Sequence, residues 1–210
     1  MKLFFTLLLF LTTIIVNSQT PITDSNIKDA VNTCLSTHPI TGLCNDSEYG
    51  PITDWDVSNV TNMSNLFSGK SQFNGDISSW DVSSVSNMRE MFKKATSLNQ
   101  DISSWDVSSV SNMREMFQEA YLFNQPLNNW DVSAVATTLS MFEDASVFNQ
   151  PLNTWNVSSV TLMESMFEAA SLFNQPLNNW NVAVVTNFEA MFKDAEVFNE
   201  PLNNWNTGEA

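Results

Sequence analysis

Apolar residues recur along this chain with two different spacings. In the stretch WDVSSVSNMREMFKKATSLNQDISS at 80–104, Val85, Met88, Met91, Phe92 and Ala95 are separated by 3, 3, 1 and 3 residues. At 100° per residue they fall within about 120° of one another, which is one face of a helix. Arg89, Glu90, Lys93 and Lys94 interleave with them as an outward polar face, with Glu90 and Lys94 at i,i+4. Ser83 or Ser86 offers an N-cap, and Thr161 with Glu164 and Thr186 with Glu189 have capping-box spacing. A short outer helix is predicted there.

The second spacing lies just before and after each tryptophan. Leu127, Trp130, Val132 and Val135 occupy positions 1, 4, 6 and 9 of their segment, the template of a leucine-rich repeat with Trp and Val in Leu slots. The middle of such a template is a short strand with Trp and Val pointing inward and the intervening residues facing solvent. Both spacings repeat together. All seven tryptophans, Trp55, Trp80, Trp105, Trp130, Trp155, Trp180 and Trp205, stand 25 residues apart. Columns of Val at 57–182, Phe at 67–192 and Asn at 74–199 keep the same step. The fold expected from this is an α/β repeat solenoid, a leucine-rich-repeat-like stack of short parallel strands and outer helices with a small helical N-terminal cap. Its units cannot bury their own apolar faces, so each must lean on its neighbours. The aromatic columns read as core, and the Asn column as an internal amide ladder bonded to turn backbone.

The string Phe-Asn-Gln-Pro-Leu-Asn-Asn-Trp-Asp-Val-Ser at 123–133, followed by the Met-Phe-x-x-Ala segment, resembles the BspA-like leucine-rich-repeat surface proteins. The resemblance spans about residues 21–206. It implies a secreted or cell-surface protein, and for some relatives adhesion to host proteins.

The ends divide the chain further. Lys2, an apolar run from Leu3 to Val16, and small residues at Val16 and Ser18 read as a signal peptide cleaved after Ser18. The run is short for a membrane span, and no later segment approaches spanning length, so no transmembrane segment is expected in the mature chain. Residues 19–50 break the period and form the expected cap, with Asp24 or Ser25 capping a helix through Ile27, Val31 and Leu35. Cys34 and Cys44 are the two cysteines, and an oxidising compartment makes them a disulfide. From 51 to 210 six complete units run on into a seventh.

Composition narrows the partners. The net charge is −15, from 23 acids against 8 bases, and −16 without Lys2. Nucleic acid is excluded for want of a basic stripe, and anionic membranes are disfavoured for the same reason. One histidine, His38, and no nucleophile with a base beside it argue against an enzyme; a carbohydrate-active enzyme is the remote alternative. The exposed strand slots form the candidate ligand face on the concave side: Asp81, Ser83, Asp106, Ser108, Asn129, Asp131, Ser133 and Asn156. The expected occupant is an extracellular protein or glycan. A structural spacer within a larger surface protein, with no ligand of its own, is the alternative.

Asp56, Asp81, Asp106 and Asp131 share one slot in successive units, and Asn156, Asn181 and Asn206 continue it. Carboxylates about 4.8 Å apart repel. Two remedies stand side by side: a bridging Ca²⁺ as the one cofactor the chain offers to hold, or a local turn in which each Asp accepts bonds from the Ser two residues on. Asn45, Asn59, Asn62 and Asn156 fit the N-x-Ser/Thr glycosylation pattern.

Overall fold

The inward positions of each 25-residue unit are buried, yet the backbone carrying them is neither helix nor strand. The computed structural model describes residues 19–208, so the predicted signal segment, 1–18, lies outside the described residues. Among these, regular structure amounts to one α-helix, α1 (Ile27–Thr37), and a 3-10 turn at Ile52–Asp54. The α/β architecture expected above is therefore corrected. No strand forms among the described residues; five isolated parallel bridges link Asn62 to Asn87, Asn87 to Asn112, Asn112 to Thr137, Thr137 to Leu162 and Leu162 to Asn187.

Hydrogen bonding gives the reason. The N–H groups of Met88, Glu90, Phe92 and Lys94 donate to the carbonyls of Asn112, Arg114, Met116 and Gln118, one unit later, at 2.8–2.9 Å. A helix needs those donors for its own i−4 carbonyls. The alternate N–H groups close tight turns instead, Met91 onto Met88, Lys93 onto Glu90 and Ala95 onto Phe92. Glu90 and Lys94 take left-handed φ values of 55° and 60° to make this possible. The same two slots are left-handed in every unit, as Asn65, Glu115, Glu119, Ser140, Asp144, Ser165, Ala169, Ala190 and Asp194 show, with Gly69 as the one glycine among them. Each such residue costs about 1–2 kcal/mol outside glycine, a penalty the bonds between units must offset. The chain is thus a stack of 25-residue rungs made of consecutive turns.

Aromatic burial runs through the whole stack. Phe67, Phe92, Phe117, Phe142, Phe167 and Phe192 stack in one column with centroids 5.5–5.7 Å apart. Phe123, Phe148, Phe173 and Phe198 form a second column at 6.0–6.1 Å. Six of the seven tryptophans reach back one rung: the indole N–H of Trp80, Trp105, Trp130, Trp155, Trp180 and Trp205 donates to the carbonyl 28 residues earlier, at 2.9–3.1 Å, while that of Trp55 donates to the Gly50 carbonyl. That bond lets the ring sit inside without an orphaned donor. The asparagine column works similarly, since Asn99, Asn124, Asn149, Asn174 and Asn199 each donate a backbone N–H to the side-chain oxygen of the Asn below.

The N-terminal segment closes the first rung. Ile27, Ala30, Val31, Cys34 and Leu35 are the buried face of α1, and Pro39 follows shortly after its last residue. Its N-cap is Asn26, not Asp24 or Ser25, and Asn26 makes no capping bond; its Oδ1 accepts from the Thr23 N–H instead. Asp24 serves the stack. Its carboxylate accepts from the N–H groups of Thr61 and Asn62 and from the Thr61 hydroxyl at 2.6–3.0 Å, in place of the missing rung below. The Ile40 carbonyl takes the Asn74 N–H in the same manner. Gly75 is needed there because a Cβ would collide with the Thr41 carbonyl. A disulfide between Cys34 and Cys44 ties α1 to this loop.

At the other end the last described rung is open. Among the described residues nothing accepts from the N–H groups of Phe188, Ala190, Phe192 and Asp194. Phe188, Phe192, Phe198, Leu202 and Trp205 are only partly covered there.

Candidate functional site

The slot after each tryptophan is exposed because the tryptophan and the valine that follows it are both turned inward. Asp56, Asp81, Asp106 and Asp131 fill it in successive rungs and Asn156 and Asn181 continue it, all exposed. Ser83, Ser133 and Asn129 lie in the adjoining slots, half-buried for the serines and exposed for Asn129; Ser108 is exposed. The structure therefore gathers the sequence-derived ligand residues on one edge of the stack. It does not make a cleft of them.

Each carboxylate is engaged locally. Asp56 and Asp81 accept from the N–H of Ser58 and Ser83 at 3.0 and 3.1 Å and from their hydroxyls at 2.6 Å. Asp106 and Asp131 accept from the N–H of Ser108 and Ser133 at 3.0 Å. Asn156 accepts from Ser158 in the same geometry. These are Asx-type turns, and they reverse the chain where Trp and Val leave the core. In every case the bonds use Oδ1, and among the described residues Oδ2 takes none.

The serine hydroxyl, and then its N–H, hold the carboxyls of Asp56, Asp81, Asp106 and Asp131 below the usual carboxylate range. Repulsion from the neighbouring Asp acts the other way at Asp81 and Asp106 and is the weakest influence on each. The column is therefore ionised at neutral pH. Among the described residues no group of three or more His, Cys, Asp or Glu side chains converges where it could hold a metal ion. The Oδ1 atoms of the Asp column are committed to serine, which leaves one oxygen of each carboxylate, Oδ2, open to a bridging Ca²⁺.

Other features of the surface were not singled out from the sequence. A hollow of about 710 Å³ lies against the cap between Gln19, Thr20 and the loop 45–51. Asp46 and Glu48 line it, with no Lys, Arg or His among its described lining residues. The His38 ring meets the Thr37 hydroxyl, at 2.9 Å. From the sequence Asp24 is a cap candidate for α1; its role beneath Thr61, where no rung supplies a carbonyl, is a three-dimensional fact with no sequence signature. A charged ribbon follows the left-handed slots, with Lys94 and Glu119 3.2 Å apart and Lys93 paired to Glu115.

No helix of the described residues is long and apolar enough to cross a membrane. The chain matches the profile of a family described as "Mycoplasma protein of unknown function, DUF285" over residues 41–154 and again over 126–210. No curated protein and no solved structure matches it.

Proposed function

The chain belongs to the DUF285 family, whose function is unknown, and from that premise we propose that it is a non-catalytic binding module of the cell exterior. Its working surface is the polar edge through Asp81, Ser83, Asp106, Ser108, Asn129, Asp131, Ser133 and Asn156. The observation that carries this is the repetition itself: ionised carboxylates recur rung after rung with Oδ2 directed to solvent. Such an edge offers evenly spaced acceptors to the hydroxyls of a glycan or the N–H groups of a protein. The likeness of residues 123–133 to BspA-like surface proteins, together with the Cys34–Cys44 disulfide, supports the exterior location.

A rigid spacer is the second reading. The unbroken aromatic columns favour it, because they stiffen the stack whether or not anything binds.

Immobilised full chain, probed with a glycan array and a panel of extracellular proteins, separates the two. A binder retains at least one ligand, and the triple change Asp81→Ala, Asp106→Ala and Asp131→Ala releases it. Silence across the panel, or capture indifferent to the triple change, sinks the edge as the working surface. The same chain settles the cation question by melting. Ca²⁺ at millimolar concentration should leave the melting temperature where it is, because mass action needs a native-state site. A rise abolished by Asp81→Asn and Asp106→Asn would restore the bridging ion.

A further inference from the structure

Charge is sorted along one column of the stack. The slot just before the first left-handed residue carries Arg89, Arg114, Leu139, Glu164 and Glu189 in the second to sixth rungs. The five are in register: the N–H groups of Glu90, Glu115, Ser140 and Ser165 donate to the carbonyls of Arg114, Leu139, Glu164 and Glu189, each at 2.8 Å. Arg89, Arg114 and Glu189 are exposed, and Leu139 and Glu164 are half-buried. A chain with 23 acids against 8 bases thus sets two arginines on adjacent rungs, then an aliphatic residue, then two glutamates.

Like charges on adjacent rungs repel, so a lone copy would be better served by alternation. Compensation within the chain is partial. Arg89 pairs with Glu90 through Nη2, and Arg114 with Glu115 through Nε at 2.6 Å, while the Nη groups of Arg114 make no bond among the described residues. Glu164 accepts from the Asn187 amide at 2.9 Å, and neither Glu164 nor Glu189 has a cation partner among the described residues. The two halves of the column keep unspent charge of opposite sign.

Reversed, the column is its own complement. Turned end over end against a second copy, about a two-fold through Leu139, it sets Arg89 against Glu189 and Arg114 against Glu164, and the symmetry repeats both pairs. Leu139 meets its counterpart. Two copies share one rung advance, whatever its value, so the register holds across all five slots. A copy lying parallel would set arginine on arginine and glutamate on glutamate. A uniformly cationic or anionic partner would satisfy one half and be repelled by the other. Two chains of net charge −15 repel as wholes, but screening acts over about 8 Å at physiological salt, so distant acids count little against opposed charges in contact.

We propose that the column Arg89–Arg114–Leu139–Glu164–Glu189 is a self-association face, on which two copies of this chain pair antiparallel about a two-fold at Leu139. The planar guanidinium of each arginine meets a carboxylate of the other copy, the geometry that favours paired N–H donors. On the flank Lys94 comes opposite Asp194; Lys93 and Lys193, also opposed, are already paired to Glu115 and Glu168. Glu143 and Asp144 come opposite their own counterparts, which opposes closure there. Burial first, then Glu119 and Glu168, already push the Asp144 carboxyl above its ordinary range. The contact therefore centres on the arginine and glutamate column and is weak and reversible, as exposed ion pairs are. It lies apart from the polar edge of the proposed function and stands or falls without it.

Sedimentation velocity of the full chain, from about 5 to 500 µM in about 0.15 M salt, should show a monomer–dimer equilibrium that shifts to monomer in about 1 M salt. Arg89→Glu and Glu189→Arg should each weaken dimerisation at least about tenfold, since each turns two attractions into repulsions. Both positions are exposed, so an unchanged melting temperature certifies the fold. The double variant Arg89→Glu with Glu189→Arg exchanges the partners and should return to within about threefold of the unaltered chain. An equimolar mixture of the two single variants should pair likewise. Net charge cannot mimic this pattern, because one substitution makes the chain more acidic and the other less so, yet both weaken the dimer. A chain that stays monomeric throughout the range overturns the face. So does tighter pairing by Glu189→Arg, or a double variant no better than the singles, which would put any dimer on another surface.

Discussion

Alanine-to-glycine substitution at two neighbouring residues distinguishes the stacked turns from the helix that the spacing suggests. Ala169 sits at φ 55°, donating its N–H to the Lys193 carbonyl one rung on. Ala170, next in the chain, is fully buried and is not among the left-handed residues. At Ala169 a glycine removes a left-handed penalty of about 1–2 kcal/mol and adds an unfolded-state entropy cost of roughly 0.5–1 kcal/mol. The expected net is a stabilisation of about 0.5–1 kcal/mol. At Ala170 the glycine removes a buried methyl worth about 0.8 kcal/mol and carries the same entropy cost, a destabilisation of about 1.5 kcal/mol. For a chain of this length each kcal/mol moves the melting point by about 2–4 °C, within reach of calorimetry or of a urea titration followed by tryptophan fluorescence. In an α-helix both substitutions would cost close to 1 kcal/mol. Opposite signs are therefore the signature of the turn geometry, and two losses of similar size would refute it.

Trp130→Phe should cost about 0.5–1.5 kcal/mol beyond its lost area, because it removes the indole bond to the Ile102 carbonyl, which keeps the Trp105 N–H as its second donor; a melting shift within error of zero would contradict the bond between rungs. Acid should destabilise the chain in a definite window. Asp24 is the clearest case: burial raises its carboxyl, but the bonds from Thr61 and Asn62 outweigh it and hold it below its ordinary value. A carboxyl held low in the fold contributes stability that is complete above about pH 4 and is lost as pH falls through the folded value. Asp24→Asn should therefore lower the melting temperature at pH 7, with the difference shrinking below about pH 4. Asp144, pushed upward, has the opposite sign: Asp144→Asn should raise the melting temperature at pH 7 and change nothing at pH 3.

The inward residues were legible in the sequence. Val85, Met88, Met91, Phe92 and Ala95 share a face by their spacing, and all five are buried. Their backbone was not legible, because a helical face and a run of alternating turns place side chains inward at nearly the same intervals. Only φ at Glu90 and Lys94 separates the two, and Glu and Lys are good helix formers that give no local warning. Gly69 is the one hint, a glycine in a slot that other rungs fill with Lys, Glu, Asp or Ala. The strand around Trp130 failed for a related reason. Asp131 accepts from the Ser133 N–H, and Val135 donates to the Val132 carbonyl, so turns use up the donors that a ladder would need. The exposed Asp column was readable from its period. The exposure of Leu122 and Leu172 was not, since they look like core residues until the left-handed slots before them set the direction of the chain.

The bonds between rungs also give the molecule a direction. From Met88 to Lys94 four backbone donors in each rung point toward the next rung, while the Ser86 and Asn99 slots each send one backbone donor back. Peptide dipoles in these slots add along the stack much as they add along a helix axis. The first rung meets the cap through the N–H groups of Thr61, Asn62 and Asn74, and the last described rung presents the N–H groups of Phe188, Ala190, Phe192 and Asp194. Each rung therefore offers these four donors to carbonyls of the rung after it, and the stack is in this sense a one-way template.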